Sequence, residues 1–331
     1  MGPNRAEGWK VIDLEGDART LVDSVYGGTV GAATGRWASQ GGHAGASRLH
    51  HWRPPAWPGA ALQSWRVSVG VPAWVTWTVQ VLRPPGPGPV PVIVSGDACW
   101  LPPPAEVMSA FVDAGVALAW FNRTELAADG DDGAREGPVF ARFAQARFGA
   151  LSVWAWGLQR TVDVLSGMDG IDARRIGVVG HSRGGKAALL AGATDARIWL
   201  TAAHNSGTAG ASSSFRLGRG SETPLALAQR FPHWLARDAL ASLSAGQAWP
   251  ADQDVLLASI APRGLLLTQS MDDRWANPVG LRHVAARARR AWPVRQRETA
   301  FRVAWRRGPH ALQAEDWAAL LAMAASLPPM A

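Results

Sequence analysis

One short segment, Arg175 to Lys186, constrains the fold of this 331-residue chain more than any other. Its sequence, RIGVVGHSRGGK, is an apolar run, then Gly180-His-Ser-Arg-Gly184, then the start of a helical pattern. A Gly-x-Ser-x-Gly sequence between a strand and a helix predicts a nucleophile elbow, a turn too tight for side chains at the flanking glycines. The turn exposes the serine hydroxyl at the carboxyl edge of the sheet and points a helix N-terminus at it. We therefore predict that Ser182 is a nucleophile.

Strand and helix patterns alternate along the rest of the chain. Strands are predicted at 73–82, 90–95, 116–121, 175–180, 198–203, 265–268 and 301–305, and helices at 104–114, 147–168, 184–193, 279–291 and 315–327. This alternation is typical of a three-layer α/β sandwich, with a mostly parallel, twisted sheet and helices on both faces. Because no repeat or long linker divides the chain, we expect a single domain over 1–331, with 1–70 as an irregular N-terminal segment packed on it.

Composition limits the partners. The chain has 33 basic and 26 acidic residues, and Lys10 and Lys186 are its only lysines. An arginine excess suits nucleic acid or an acidic polymer, but the arginines are spread along the chain and no nucleic-acid-binding motif is present. We therefore expect no nucleic-acid partner. Because Cys99 is the only cysteine, the chain forms no internal disulfide.

Membrane and metal sites are not expected either. No apolar stretch reaches the length of a membrane span, and the first ten residues lack the apolar core of a signal peptide. The acidic stretch Asp129, Asp131 and Asp132 lacks the full ligand pattern of a calcium-binding loop. We interpret this stretch as a solvated turn.

A serine nucleophile needs a general base. In α/β-hydrolases the order along the chain is serine, acid, histidine. His310 directly follows a predicted strand, in the kind of loop that reaches over the sheet edge, whereas His283 falls inside a predicted helix. His181 neighbours the serine, but in an elbow its side chain points away from it. We therefore predict His310 as the base.

The acid is expected after a strand between the serine and the histidine. Asp272 and Asp273 both follow the predicted strand 265–268. Both also suit an ordinary turn, where aspartate is frequent. The residue pattern alone does not separate them.

The sequence also resembles a known family. Gly180-His-Ser-Arg-Gly-Gly-Lys-Ala-Ala188 is similar to the nucleophile motif of the glucuronoyl esterases, α/β-hydrolases that cleave esters between glucuronic acid on xylan and lignin alcohols. Matching stretches run through most of the chain: Val25-Tyr-Gly27, Asn205-Ser-Gly207, Phe231-Pro-His-Trp234, Ile260-Ala-Pro-Arg263, Asp273-Arg-Trp275 with Asn277-Pro278, and His310 followed by Glu315-Asp-Trp317. The bacterial type of 4-O-methyl-glucuronoyl methylesterase is the nearer likeness.

The resemblance implies a role for each matching residue. Ser182 would be the nucleophile, His310 the general base, and Asp273, two residues before the tryptophan, the triad acid. Arg183 would stabilise the oxyanion through its side chain and its backbone N–H. A second oxyanion donor is expected in the loop near Gly96 to Ala98.

Four further residues would bind the substrate. Lys186 lies one helical turn after Ser182 and so shares its face of the helix. Glu222 resembles a family carboxylate that bonds sugar hydroxyls, and Trp234 and Trp275 would supply stacking surface.

Two positions depart from the family: Asn205 stands where many members carry glutamate, and Thr208-Ala-Gly210 replaces a Cys-Gly-Gly whose disulfide is absent here.

We therefore expect an esterase acting on esters of (4-O-methyl-)glucuronic acid, with glucuronoxylan or another uronic-acid ester as substrate. No metal or organic cofactor is required, and we expect a monomer that binds neither nucleic acid nor membrane. One alternative is an esterase for acetyl or other small carbohydrate esters. Another is a carbohydrate-binding homologue without turnover. The resemblance suggests a secreted or periplasmic protein, and the compartment stays open.

Overall fold

A computed structural model describes residues 14–29, 44–99 and 101–331 of the chain. Its nine strands form one sheet in the order β1-β2-β3-β5-β4-β6-β7-β8-β9. The strands are β1 Ala44–Trp52, β2 Ala61–Val69, β3 Val75–Arg83, β4 Val90–Ser95, β5 Ala117–Phe121, β6 Ile171–His181, β7 Leu200–His204, β8 Gly264–Ser270 and β9 Phe301–Arg306. Strands β4 to β9 are parallel, and β1 to β3 form an antiparallel meander that joins them through β5. The predicted mostly parallel sheet is confirmed.

Helices cover both faces of this sheet. They are α1 Leu14–Leu21, α2 Ala105–Asp113, α3 Pro138–Arg142, α4 Ala150–Ser166, α5 Arg183–Thr194, α6 Pro224–Arg230, α7 Ala239–Ser244, α8 Gln253–Ala258, α9 Pro278–Ala288, α10 Arg297–Ala300 and α11 Ala314–Ser326. Helices α4, α5, α8 and α9 form one connected layer, while α2 and α11 contact each other and the strands of the sheet. The predicted three-layer arrangement is therefore confirmed. None of the described helices is long and apolar enough to cross a bilayer.

The central strands are buried along their whole length. Every residue of β5, β7 and β8 is buried, because helices cover both faces of a parallel sheet. The sequence of β5 is therefore apolar throughout, and β8 contains the run Leu265 to Leu267, rather than an alternation of apolar and polar residues. Each fully buried Leu, Ile or Phe side chain contributes about 1.5–3 kcal/mol to the hydrophobic stabilisation of such a core.

The prediction that residues 1–70 are irregular is wrong for the part of this segment that the structure describes. Residues 44–52 and 61–69 are β1 and β2 of the sheet, and α1 precedes them. Most side chains of β1 are exposed and none is buried. Its sequence therefore lacks the alternation of apolar and polar residues that predicts a half-buried strand. Residues 1–13 and 30–43 of that segment lie outside the described part. The single domain stays a prediction.

The motif Val25-Tyr-Gly27 connects this N-terminal region to the sheet's carboxyl edge. Tyr26 is fully buried, and its hydroxyl lies 2.9 Å from the carbonyl oxygen of Ala209, in the loop that follows β7. Gly27 has φ +77°, and a Cβ there would lie 2.3 Å from the carbonyl oxygen of Arg147. The turn therefore requires glycine.

Parallel register brings the functional loops to one edge. His181 at the end of β6 is paired with His204 of β7, and His204 with Thr268 of β8. Ser270 of β8 is paired with Arg306 of β9. Because neighbouring parallel strands end at the same edge, the loops that follow these strands meet there.

Candidate active site

Ser182 occupies a strained turn between β6 and α5. Its backbone has φ 52° and ψ −116°, outside the regions that ordinary side chains favour. The N–H of Ser182 donates to the carbonyl of His204 over 2.8 Å, which ties the turn to β7. A Cβ on Gly180 would lie 2.1 Å from the carbonyl oxygen of Gly184. The geometry is that of the predicted elbow, and it explains the glycine at position 180.

His310 and Asp273 form a closely bonded pair beside this turn. The Nδ1 atom of His310 lies 2.6 Å from Oδ2 of Asp273. Asp273 is nearly inaccessible, with a side chain 5% exposed against 43% for His310. A carboxylate can only accept, so Nδ1 carries the proton and the unprotonated Nε2 is left as the basic nitrogen. This arrangement can orient a general base.

Asp272 lies outside this pair. One of its carboxylate oxygens accepts from the backbone N–H of Gly308 over 2.9 Å, and the other is 3.2 Å from Nη1 of Arg307. These partners hold the pKa of Asp272 below its usual range, the bond from Gly308 first. Asp272 therefore braces the loop that carries His310, while Asp273 contacts the His310 ring itself.

Most of the predicted site residues line one cavity of about 210 Å³. Pockets for drug-sized ligands are larger, on the order of 300–1,000 Å³, so this cavity has room for one sugar-sized group. Its lining comprises Ser182, Arg183, Lys186, Asn205, Ser206, Gly207, Glu222, Arg230, Phe231, Trp234, Trp275, Ala276 and His310. Of the predicted triad and substrate-binding residues, only Asp273 does not line it, because it lies behind His310.

Lys186 and Glu222 form the polar side of the cavity, and both are buried. The Nζ atom of Lys186 donates to the carbonyl of Ser206 over 2.7 Å and to that of Thr208, and lies 3.9 Å from Oε2 of Glu222. Burial lowers the pKa of Lys186 to about 8, and Glu222 opposes that shift. Burial also raises the pKa of Glu222, against the attraction of Lys186. Two carbonyls use two of the three ammonium hydrogens, which leaves one for Glu222 or a ligand.

Trp275 and Trp234 differ in what they offer the cavity. Trp275 is 48% exposed, so its ring is available for stacking. Trp234 is buried, and its indole N–H donates to Asp129 Oδ1 over 2.9 Å. The two rings of Trp234 and Phe231 stack at 3.8 Å between centroids, and the guanidinium carbon of Arg183 lies 4.6 Å from the Trp234 ring centroid. Trp234 thus supports Arg183.

Asp129 is a residue whose importance the sequence did not indicate. Its side chain is 2% exposed, and Nη1 of Arg183 lies 2.9 Å from its Oδ2. The predicted solvated turn is therefore wrong for Asp129 and correct only for Asp131 and Asp132, which are exposed. Burial opposes ionisation of Asp129, but His233 and the guanidinium groups of Arg183 and Arg123 outweigh it and hold its pKa well below the usual range.

A network of ion pairs connects Asp129 to the elbow. Arg123 is buried and bridges Asp129 at 3.3 Å and Asp97 at 2.5 Å. Asp97 in turn accepts from the backbone N–H of His181 over 2.7 Å. A Cβ on Gly184 would lie 1.9 Å from the Asp97 carboxylate, so this glycine is required by close packing.

One of the two expected oxyanion donors, the N–H of Arg183, lies beside Ser182. Arg183 is the first residue of α5, so its N–H has no acceptor within the helix and is available beside Ser182. Residues 96–98 do not line the cavity that contains Ser182. The second donor expected there stays a prediction.

Asn205, which stands at the family's glutamate position, has a structural role here. It is buried with φ 46°, and its Oδ1 accepts from the N–H of Ser270 over 2.8 Å. The side chain thus joins the ends of β7 and β8. Among the described residues, no group of three or more His, Cys, Asp or Glu side chains is placed to hold a metal ion.

Comparison with protein families matches residues 70–294 to the model described as "Glucuronyl esterase, fungi". The chain belongs to the glucuronyl esterase family. A 4-O-methyl-glucuronoyl methylesterase of Thermothelomyces thermophilus is 32% identical over 227 residues, which are 65% of this chain and 54% of that protein. One of Hypocrea jecorina is 33% identical over 66% of this chain and 47% of its own length. The chain thus spans about half of these curated relatives.

Solved structures of glucuronyl esterases share the fold. A glucuronoyl esterase from Solibacter usitatus superposes with a TM-score of 0.80 at 24% identity, over 97% of this chain and 93% of the other. A promiscuous CE15 esterase from a marine bacterial metagenome gives 0.78 at 21% identity, over 98% and 93%. These likenesses confirm the predicted α/β-hydrolase fold.

Proposed function

We propose that this chain is a serine esterase that hydrolyses esters of (4-O-methyl-)glucuronic acid through a covalent intermediate on Ser182. The observation that carries the proposal is the His310–Asp273 pair, 2.6 Å between Nδ1 and Oδ2, beside a serine in a strained elbow. A plain structural turn has no need of a buried acid bonded to a half-exposed histidine on a neighbouring loop. Nucleophilic catalysis by serine needs a base beside the hydroxyl and a third group that orients this base.

The first half of the reaction forms an acyl-enzyme. Nε2 of His310 takes the proton of Ser182 as its Oγ attacks the ester carbonyl carbon, and Asp273 stabilises the imidazolium that forms. The oxyanion lies by the N–H of Arg183 and the N-terminus of α5. When the tetrahedral intermediate collapses, the C–O bond to the alcohol breaks and His310 returns the proton to the leaving oxygen.

The second half releases the acid. A water molecule gives a proton to His310 and attacks the acyl carbon, and the bond to Ser182 Oγ then breaks as the serine regains its proton. The products are a glucuronate and an alcohol. Every proton transfer uses side chains of this chain, so the proposed mechanism needs no metal or organic cofactor.

The polar wall of the cavity suggests a sugar acid as the acyl group. Lys186 and Glu222 present a charged donor and an acceptor to a space that fits one sugar ring, and Trp275 offers an apolar ring face. Sugars combine hydroxyl groups with apolar C–H faces, and this lining complements both. The curated relatives' name, 4-O-methyl-glucuronoyl methylesterase, agrees with that choice. In glucuronoxylan, such an ester would join the uronic acid to a lignin alcohol.

The substrate class is tested by comparing an ester of glucuronic acid with an ester of acetic acid. We expect hydrolysis of benzyl glucuronate at a higher kcat/KM than hydrolysis of p-nitrophenyl acetate, even though p-nitrophenol is the better leaving group. Preference for the acetate would contradict the glucuronate assignment and support a small-ester esterase. Turnover of neither ester would support a binding protein.

A further inference from the structure

The loop that carries the general base is held by its backbone. This loop, residues 307–311 (the His310 loop), has no regular secondary structure, yet each of its five carbonyls accepts a hydrogen bond from a side chain. Arg306 donates to the carbonyls of residues 307, 309 and 311, at 3.1, 3.0 and 2.5 Å. Ser270 donates to that of Gly308 over 2.5 Å.

The fifth carbonyl, that of His310 itself, is bonded to Nε2 of His181. His181 is the last residue of β6 and directly precedes Ser182. Its ring centroid lies 4.8 Å from that of His310. A carbonyl oxygen can only accept, so Nε2 of His181 carries the proton. One hydrogen bond therefore joins the residue before the nucleophile to the residue that acts as base.

The two segments that this hydrogen bond joins, the end of β6 and the His310 loop, are each held by further bonds. The N–H of His181 donates to Asp97 over 2.7 Å. The guanidinium of Arg306 bonds both oxygens of Asp316 at 3.0 and 2.9 Å, and both side chains are nearly buried. Because Asp97 holds the end of β6 and Asp316 holds Arg306, the bond from His181 joins two segments that are each fixed by other residues.

His181 suits this role when it is neutral. Burial lowers its pKa, with a smaller contribution from the charge of the nearby His310, while the bond to the His310 carbonyl and the charges of Asp97 and Asp316 oppose the shift. His310 becomes positively charged during the proposed reaction. A second cation 4.8 Å away would oppose that charge, whereas a neutral imidazole donates its hydrogen bond without doing so.

We propose that His181 is a positioning residue that sets the placement of His310 relative to Ser182 by bonding to the His310 carbonyl. The inference rests on the proposed serine mechanism. A displacement of about 1 Å between reacting groups costs roughly 100-fold in rate. Loss of this bond should therefore slow the proton transfer without weakening substrate binding.

The test compares His181→Gln with His181→Met. The two side chains have similar length, but only glutamine keeps an N–H that can reach the carbonyl. Three quantities are measured: the rate at which a fluorophosphonate labels Ser182, and kcat and KM for benzyl glucuronate. We expect His181→Met to label about 10–100-fold slower than the wild type and to lose kcat equally, with KM within about twofold. His181→Gln should recover most of the loss.

The thermal midpoints of the variants and a matched control variant separate a loss of positioning of His310 from a loss of folding. His51→Met changes an exposed histidine on β1 and should label at the wild-type rate. Equal labelling by His181→Met and the wild type would overturn the inference alone, as would a glutamine variant as slow as the methionine one. Failure of the wild type to be labelled would overturn the serine mechanism and the inference with it.

Discussion

The carboxylate of Asp273 lies 2.6 Å from Nδ1 of His310, while its neighbour Asp272 points to the backbone of Gly308 at 2.9 Å. Two adjacent aspartates thus have separate tasks, one on the ring of the base and one on the loop that carries it.

Asp273→Asn should lose far more activity than Asp272→Asn. The amide at 273 cannot stabilise an imidazolium, so we expect kcat to fall about 10³–10⁴-fold. Asp272 is exposed and bonds only the loop, so its amide should cost less than about tenfold. Steady-state kinetics on benzyl glucuronate measure both. A larger loss in Asp272→Asn would overturn the choice of acid.

Asp129→Asn should impair catalysis although the residue does not line the cavity. The change removes the charge that holds Arg183 at 2.9 Å, so the guanidinium loses its fixed direction. We expect a fall of about 10–100-fold in kcat/KM, less than the roughly 10²–10³-fold cost of removing one oxyanion donor, because the guanidinium itself is still present. Asp131→Asn, in the exposed part of the same stretch, is the control. Equal activity of both variants would show that Arg183 needs no such anchor.

Lys186→Met should destabilise the fold more than the double change Lys186→Met with Glu222→Gln. The single variant leaves a buried carboxylate without its cation and removes a donor from the carbonyls of Ser206 and Thr208. Breaking a buried pair by removing one partner costs about 3–5 kcal/mol, and neutralising the other partner recovers part of it. Urea unfolding at pH 7 measures the difference. If the double variant is no more stable than the single one, the two charges are not coupled.

Stability should fall in acid because of His204. Burial lowers the pKa of this histidine to about 4, from an ordinary 6.5, mainly by desolvation. Between these values the unfolded chain binds a proton that the folded chain does not, so the stability present above pH 6.5 is lost as the pH falls toward 4. The size of the shift corresponds to about 3 kcal/mol.

His204→Leu removes this titration. Its free energy of unfolding should therefore decline less than that of the wild type between pH 6.5 and 4.5, while His51→Leu should follow the wild type. Parallel curves for all three proteins would show that His204 is already protonated in the fold or does not shift.

Patterns of local sequence predicted much of the fold and part of the site. The run from Arg175 to Lys186 shows a strand, a glycine-flanked serine and a helix within twelve consecutive positions, and the structure has β6 and α5 there. Buried parallel strands such as β8 appear as apolar runs. The edge strand β1 does not, because it pairs through its backbone and buries no side chain.

Contacts between distant segments could not be predicted in the same way. Asp129 meets Arg183 across 54 positions, and His181 meets the carbonyl of His310 across 129. Nothing near Asp129 distinguishes it from Asp131 and Asp132, since only packing against distant residues such as Arg183 and Trp234 decides which aspartate is buried. The choice between Asp272 and Asp273 likewise came from the family resemblance, because both follow the same strand.

The assignment of Ser182 as the nucleophile of a glucuronate esterase is tested by turnover of benzyl glucuronate by the wild type and by Ser182→Ala. We expect measurable hydrolysis by the wild type and a loss of at least about 10³-fold in kcat for Ser182→Ala, with the thermal midpoint unchanged. Hydrolysis by Ser182→Ala at the wild-type rate, or no hydrolysis by the folded wild type, would contradict it.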